Sequence, residues 1–93
     1  MDISDIKIRK TMNEGRLRAI VSITIDEAIA IHDIKIVQGD ERMFVAMPSR
    51  KEENGVFRDI VHPISQEFRK EIETQIIDYY EEYIRLQNEA EAE

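Results

Sequence analysis

Three groups of basic side chains carry the chemistry that this sequence offers. Arg50 and Lys51 follow an apolar run, in a predicted loop where long cationic side chains reach a phosphate backbone. Arg69 and Lys70 lie in the first turns of a predicted helix, where the helix dipole favours acids over bases, so this pair indicates an external anion. The third group shares one face of a predicted hairpin and consists of Lys7, Arg9, Arg16 and Arg18. Each group either binds an anion or balances nearby acidic residues.

The sequence gives no sign of catalytic or metal-binding chemistry. Without cysteine there is no thiol nucleophile and no cysteine-based zinc site. His32 and His62 are the two imidazoles, and the neighbouring Asp33 and Asp59 are not at helical ligand spacing. No serine elbow or glycine-rich phosphate loop is present. We therefore expect no enzyme activity, no metal or other cofactor and no small-molecule substrate.

Aromatic residues near the end of the chain admit two interpretations. Tyr79, Tyr80 and Tyr83 could stack against nucleic-acid bases. They follow an apolar stripe, however, and the adjacent Glu81 and Glu82 would repel phosphate. Packing in a core or an interface is therefore the favoured interpretation.

The overall charge argues against a simple basic nucleic-acid binder, because the formal net charge of the 93 residues is −7. The excess acid is unevenly distributed. Residues 1–64 have a net charge of −1, whereas residues 65–93 have a net charge of −6. The first two thirds can therefore carry local basic patches. No run of about 18 apolar residues is present, so we expect no membrane partner.

The first two strands are predicted from alternation of apolar and polar residues. Residues 6–10 alternate and residues 16–25 form a second apolar-rich run. Parity predicts that Ile8 pairs with Val21 and Ile6 with Ile23, with a two-residue turn at Glu14-Gly15. The core face of the second strand then holds Leu17, Ala19, Val21, Ile23 and Ile25.

Three more strands complete the predicted sheet. The apolar phase of residues 28–38 breaks at His32-Asp33, which predicts a bulge or bend there. Arg42 to Met47 form the fourth strand, residues 49–55 a polar loop, and Val56 to His62 the fifth strand. The fold is predicted to be α+β, with five mainly antiparallel strands over residues 2–62 followed by a long helix.

The helix is predicted over residues 65–87 with Ser65 as its N-cap, and residues 88–93 are predicted to be an acidic disordered tail. A single domain is predicted over residues 1–87. The helix either packs on the sheet or is swapped across it. Its main apolar stripe consists of Phe68, Ile72, Ile76, Tyr79, Tyr83 and Leu86. A second stripe widens the apolar face near the helix end, and the predicted homodimer interface is Ile76, Ile77, Tyr80 and Ile84.

Several segments resemble one family of bacterial regulators. They are His32-Asp33-Ile34-Lys35-Ile36, Gly39, Phe44-Val45-Ala46-Met47-Pro48-Ser49-Arg50-Lys51 and Phe57-Arg58-Asp59-Ile60-Val61-His62-Pro63-Ile64. Lys7-Ile8-Arg9 and Gly15-Arg16-Leu17-Arg18-Ala19 resemble it as well. Together these segments are similar to the SpoVG (stage V sporulation protein G) family of septation and sporulation regulators, over residues 1–85.

The resemblance implies a small cytoplasmic homodimer that binds DNA, and also RNA, and regulates other genes. It also implies a link to formation of the division septum and, in spore formers, to asymmetric septation. By this resemblance the nucleic-acid contacts fall on Arg50 and Lys51, with Arg69 and Lys70 as further positions. The alternative is a septum-associated adaptor that binds proteins through a sheet edge or the acidic helix face and does not bind nucleic acid.

Overall fold

The computed structural model describes residues 1–92 and contains six strands and one helix. The elements in chain order are β1 (Ile3–Thr11), β2 (Leu17–Ile25), β3 (Ile29–Gln38), β4 (Met43–Ala46), β5 (Ser49–Lys51), β6 (Phe57–Asp59) and α1 (Gln66–Ala92). Strands β1-β2-β3-β4 form one antiparallel sheet in that order, and β5 and β6 form a separate antiparallel ribbon. The predicted α+β class is confirmed. The predicted single sheet of five strands is wrong, because the chain leaves the main sheet after β4.

The register of the β1–β2 hairpin is confirmed at its centre. Ile8 pairs with Val21 and Ile6 with Ile23, as parity predicts. The predicted two-residue turn is wrong, because a register shift between Ile8 and Lys10 adds one residue to β1 and changes the parity beyond it. The hairpin consequently closes through a longer connection over residues 12–16, in which Gly15 has a φ of 81°.

The predicted bulge in the third strand is confirmed. Val21 pairs with Ile34 whereas Ile23 pairs with Ile31, so β3 has one residue more than β2 between these pairs. Asp33, at this bulge, has a φ of 62°, in the left-handed region that aspartate tolerates better than most residues. The bulge returns Ile31 and Ile34 to the same face of the sheet.

The hydrophobic core lies between α1 and one face of the four-stranded sheet. Its fully buried members include Val21, Ile23, Ile34 and Ile36 from the sheet and Ile76 from the helix. The helix contacts both edge strands, β4 and β1, and therefore crosses the sheet. We call the covered face of the sheet the inner face and the opposite face the outer face.

The apolar stripe of the helix differs from the prediction after Ile76. The residues that pack against the sheet recur at a spacing of four and are Phe68, Ile72, Ile76, Tyr80 and Ile84. Each step of four residues rotates the contact by about 40° around the axis, which fits a helix that crosses the sheet at an angle. Tyr79 and Leu86, which are predicted to lie on the stripe, are exposed instead.

This packing bears on the residues predicted to form a dimer interface. Ile76 and Tyr80 are buried in the core of their own chain, with exposed fractions of 0% and 6%, so they present almost no surface to a second copy. Ile84 packs partly against the same core, and Ile77 is half-buried. Sequence periodicity identifies these residues as buried but does not identify the surface that covers them.

The helix extends to Ala92, five residues beyond its predicted end, so residues 88–92 of the predicted disordered tail are helical. Arg85 forms ion pairs with Glu82 and Glu89, one turn away on each side, and glutamate, glutamine and alanine are good helix formers. The hydrogen bond from Arg85 lowers the pKa of Glu82. Glu93, the last residue of the predicted tail, lies outside the described residues. No helix of residues 1–92 combines the length and the apolar character needed to cross a membrane.

The molecule is elongated, because the ribbon and the end of the helix extend from the sheet. Its radius of gyration is 14.2 Å, whereas a compact domain of this length has about 12 Å. The longest dimension is 48 Å. Strands β5 and β6 of the ribbon contact each other extensively and have few contacts with the other elements.

Replacing Ile76 and Ile77 separately by alanine tests the assignment of the core. Ile76→Ala should lower the free energy of unfolding by about 2–5 kcal/mol, because a fully buried side chain leaves a cavity. Ile77→Ala is the matched control and should cost at most about half as much, because its side chain is only half-buried. Urea denaturation at two protein concentrations measures both effects and separates any contribution of association. Equal losses would contradict the assignment.

Candidate nucleic-acid interface

Arg50 and Lys51 lie in a β-strand and not in the predicted loop. Arg50 pairs with Arg58 and Lys51 with Phe57 in the ribbon formed by β5 and β6. Backbone hydrogen bonds continue the ladder at both ends, from Ile60 N to Pro48 O and from Glu52 N to Val56 O. The predicted polar loop therefore shrinks to a tight turn, closed by a bond from Gly55 N to Glu52 O at 2.9 Å.

The strand conformation separates the two predicted phosphate ligands. Successive side chains of a strand point to opposite faces, so Arg50 and Lys51 do not form one patch. Arg50 shares its face with the directly opposite Arg58, whose Nε lies 2.9 Å from Glu52 Oε1. Lys51 shares the other face with Phe57, an exposed aromatic side chain.

Arg58 is a member of this basic cluster that sequence reasoning missed. Two arginines directly opposite each other repel, and the ion pair with Glu52 offsets only part of that repulsion. None of the ion pairs seen within residues 1–92 involves Arg50 or Lys51. A ribbon selected only for stability would not place these cations together. The arrangement therefore suits an external anion.

The start of α1 is built as predicted, with Ser65 as the N-cap. Ser65 Oγ accepts a hydrogen bond from Phe68 N at 3.2 Å, and Ser65 O accepts the first helical bond from Arg69 N at 3.0 Å. The guanidinium of Arg69 donates to Pro63 O at 3.4 Å, so this side chain folds back towards the segment before the helix. The cap therefore sets the direction in which the first basic residues of the helix project.

A shallow depression of about 340 Å³ lies beside this helix start. Arg42, Arg69 and Lys70 line it, and the carboxylate of Glu73 pairs with Arg42. Arg42 comes from the connection between β3 and β4, and its sequence position gives no indication that it lies beside the helix. Three cations around one carboxylate leave the depression suited to an anion.

The third predicted basic group is divided between two environments. Lys7 pairs with Ser22, and Arg9 Nε donates to Ser22 Oγ at 3.2 Å, so both side chains lie on the outer face of the sheet. Arg16 instead forms an ion pair with Asp40 at 2.8 Å. Arg18 donates to the carbonyl oxygen of Gly15 at 3.0 Å. The predicted face therefore retains Lys7 and Arg9, whereas Arg16 and Arg18 are engaged near the connecting loops.

The two histidines take part in local hydrogen bonds. His32 Nδ1 lies 3.0 Å from Ser22 Oγ, and His62 Nδ1 lies 3.2 Å from the carbonyl oxygen of Pro63. In the part of the chain that the structure describes, no three histidine or carboxylate side chains are grouped so as to hold a metal ion.

Comparison with known proteins gives a consistent result over most of the chain. A family model described as SpoVG matches residues 1–82. A relative from Caldicellulosiruptor saccharolyticus is 50% identical over 84 residues, which cover 90% of this chain and 96% of the relative. A relative from Acetivibrio thermocellus is 49% identical over 81 residues, covering 87% and 86%. One from Staphylococcus aureus is 45% identical over 82 residues, covering 88% and 82%. Each is named "Putative septation protein SpoVG".

Substitution of Ser65 tests how the helix start is built. Ser65→Ala should lower the free energy of unfolding by about 1 kcal/mol and reduce the hydrogen-exchange protection of the Phe68 amide, because its hydrogen-bond acceptor is lost. Ser65→Asp should preserve both properties, because aspartate caps helices about as well as serine. Chemical denaturation and amide exchange measure the two effects. An aspartate variant as destabilised as the alanine variant would contradict this role.

Proposed function

The chain belongs to the SpoVG family, and on that basis we propose that it is a septation-related regulator that binds nucleic acid as a homodimer in the cytoplasm. The names of its relatives support the link to septation. In species that form spores, the same role extends to sporulation and asymmetric septation. The protein acts by binding and not by catalysis.

The observation that carries the nucleic-acid proposal is the pair of basic clusters that flank one short segment. Arg50, Lys51 and Arg58 lie on the ribbon, and Arg69 and Lys70 lie at the helix start. The segment from Asp59 to Gln66 spans at most about 25 Å when fully extended. Because one turn of duplex DNA measures about 34 Å, both clusters can contact phosphates within a single turn.

The shape of the ribbon supports binding to a groove. The major groove of B-DNA is about 12 Å wide and accepts a two-stranded ribbon. A ribbon in the groove presents one face to the bases and the other to solvent or backbone. Arg50 and Lys51, which point to opposite faces, then contact different parts of the duplex. Arg69 and Lys70 add phosphate contacts that set the orientation of the protein.

The proposed homodimer uses the base of the ribbon in place of the predicted helix stripe. An isolated two-stranded ribbon is at best marginally stable in water, so this one needs a partner surface. Large apolar side chains at its base and in the segment that leads to the helix are exposed, including Ile60 at 68% and Ile64 at 94%. Ile64 also lines an apolar groove of about 240 Å³, to which Ile29, Met47 and Phe68 contribute. A C2 pair in which each ribbon base fills the partner's groove satisfies both surfaces.

Dimerisation also strengthens the proposed binding. Each protomer presents the same ribbon and helix-start clusters, so a dimer presents both of them twice. Once one protomer is bound, the second binds with a high effective concentration. Two weak patches therefore act together on one nucleic-acid molecule.

A second function, that of a protein-binding adaptor at the septum, is favoured by a different surface. Tyr79 and Leu86 are exposed on a helix whose second half is strongly acidic. In addition, the ribbon is electrically neutral over residues 49–59, with three basic and three acidic side chains. If the protein is an adaptor, pull-downs should recover a protein partner even after nuclease treatment. Binding to oligonucleotides at moderate salt should then be negligible.

A duplex-binding titration decides between these functions. For the wild-type protein, log affinity should fall steeply with log salt, because bound phosphates release counterions. Arg50→Ala/Lys51→Ala should weaken binding and make the slope less negative by about 2, or about 1 for each cation removed. Arg85→Ala is the control, because Arg85 pairs with Glu82 and Glu89 on the acidic part of the helix. Fluorescence anisotropy at several salt concentrations measures the slope. Unchanged affinity in the double variant would refute the proposal.

The dimer interface is tested separately. Ile64→Asp should shift the protein towards monomer, because it would bury an unpaired carboxylate in the interface. Leu86→Asp introduces the same charge on another exposed apolar residue and should leave the association unchanged. Sedimentation equilibrium over a range of protein concentrations measures the dissociation constant. A dimer that tolerates Ile64→Asp, or a wild-type protein that is monomeric, would exclude this interface.

A further inference from the structure

The outer face of the four-stranded sheet is not covered by any element of residues 1–92. Its members follow from the strand pairing, because residues paired across the sheet point to the same face. Ordered along the strands, the outer-face residues are Asp5, Lys7, Lys10, Leu17, Ile20, Ser22, Thr24, Ala30, Lys35, Val37, Phe44 and Ala46. Leu17 was predicted on the core face, and the register shift between Leu17 and Ala19 places it here instead. Sheets that bury only one face usually present a mixed polar surface on the other.

The cations of this face lie close together. Lys10 and Lys35 flank Ile20 in one cross-strand row, and Lys7 pairs with Ser22 in the next. None of the ion pairs within residues 1–92 involves these lysines or Arg9. Sequence alternation does not place Lys10 on the outer face, because the extra residue in β1 changes the parity before it. The outer-face position of Lys35 agrees with alternation, because Lys35 lies between the inward-facing Ile34 and Ile36. The face is therefore locally basic in a protein of net charge −7.

Arg9 is held in place on this face by a buried hydroxyl. Its Nε donates to Ser22 Oγ at 3.2 Å, and the same hydroxyl lies 3.0 Å from His32 Nδ1. Ser22 is only 6% exposed, although it points away from the core, because these side chains cover it. The contact uses one nitrogen of the guanidinium. Its terminal nitrogens have no protein partner among the described residues and form a fork suited to phosphate.

The same face also offers an aromatic surface. Phe44 is 38% exposed and pairs with Val37. Its ring lies against Gly39, where an added Cβ would come within 3.3 Å of two ring carbons and 2.7 Å of Arg42 O. Glycine at this position therefore lets the ring pack down on the β3–β4 turn. Ile20 and Val37 extend the apolar surface between Phe44 and the lysines.

We propose that the outer face is a second nucleic-acid site, which binds single strands. Phosphates contact Lys7, Arg9 and Lys35, and an unpaired base stacks on Phe44. A single strand supplies both partners, because its bases are free to stack while its backbone carries the charge. A duplex hides its base faces and would place phosphates against Ile20 and Val37, so it fits this face poorly. The site is separate from the ribbon and helix start and does not depend on duplex binding there.

Anisotropy titrations with labelled oligo-U and oligo-dT of about 20 nucleotides test the proposal, since this length exceeds the usual footprint of about 4–16 nucleotides. The test variant Lys7→Gln/Lys35→Gln should make the salt slope less negative by about 1.4 for both strands, or about 0.7 per lost phosphate contact. Phe44→Leu keeps an apolar side chain over Gly39 but cannot stack, and it should weaken binding about 5- to 150-fold. Arg85→Gln is the control for loss of a positive charge elsewhere. Comparison of the two oligonucleotides distinguishes RNA from DNA as the preferred strand.

Three outcomes would overturn the proposal. The first is single-strand affinity that the sheet variants leave unchanged. The second is an equal loss in Arg85→Gln, which would mean that only overall charge matters. The third is a change in oligomeric state of Lys7→Gln/Lys35→Gln without a change in oligonucleotide affinity, which would assign the face to the acidic helix end of a second copy. Loss of duplex binding in the ribbon variants bears on the proposed function alone, whereas the sheet variants should leave duplex binding intact.

Discussion

The packing of α1 across the inner face of the sheet is the interaction on which the rest of the structure depends. The sheet supplies Val21, Ile23, Ile34 and Ile36 to this contact, and the helix completes it with Ile76 at its centre. A chain of 93 residues provides one long helix, which can cover one face of one sheet. Every other surface must therefore be exposed to solvent, to another copy or to a ligand. The register shifts between Ile3 and Asp5 in β1 and between Ile31 and Ile34 in β3 serve the same contact, because they keep the isoleucines on both sides of each shift on the covered face.

This constraint explains why the basic side chains lie where they do. The core uses the inner-facing residues of each strand, so the alternate residues of β1 and β3 are available for lysine and arginine. The ribbon formed by β5 and β6 is separate from this sheet and follows its edge strand β4. Arg50 and Arg58 are consequently displayed on a two-stranded element that has little packing of its own. Side chains that do not stabilise the fold are thereby free to bind.

The sequence predicts the repeating parts of this structure better than the places where the repeat is interrupted. Pairing of Ile8 with Val21 and the bulge at Asp33 follow from a period of two, and the cap at Ser65 follows from local chemistry. The bulge at Arg9 leaves no mark in the apolar pattern, and it moves Lys10 to the outer face. The position of Arg42 beside Glu73 depends on tertiary packing. Strand β6 lies within the predicted fifth strand, whereas β5 and its pairing with β6 were missed, because residues 49–51 are exposed and show no apolar alternation.

Charge separation along the helix accounts for how an acidic protein can offer a surface to a polyanion. Lys70 and Glu89 are separated by nineteen residues of continuous helix, or roughly 29 Å at 1.5 Å per residue. At physiological ionic strength the Debye length is about 8 Å, so the acidic end is strongly screened at the basic helix start. Arg85, which forms ion pairs with Glu82 and Glu89, offsets one of the negative charges of that end. What remains of its field repels a polyanion and favours approach to the opposite end, where the ribbon and helix-start cations lie. The net charge of −7 would therefore affect the direction from which a polyanion approaches and does not by itself exclude the proposed binding.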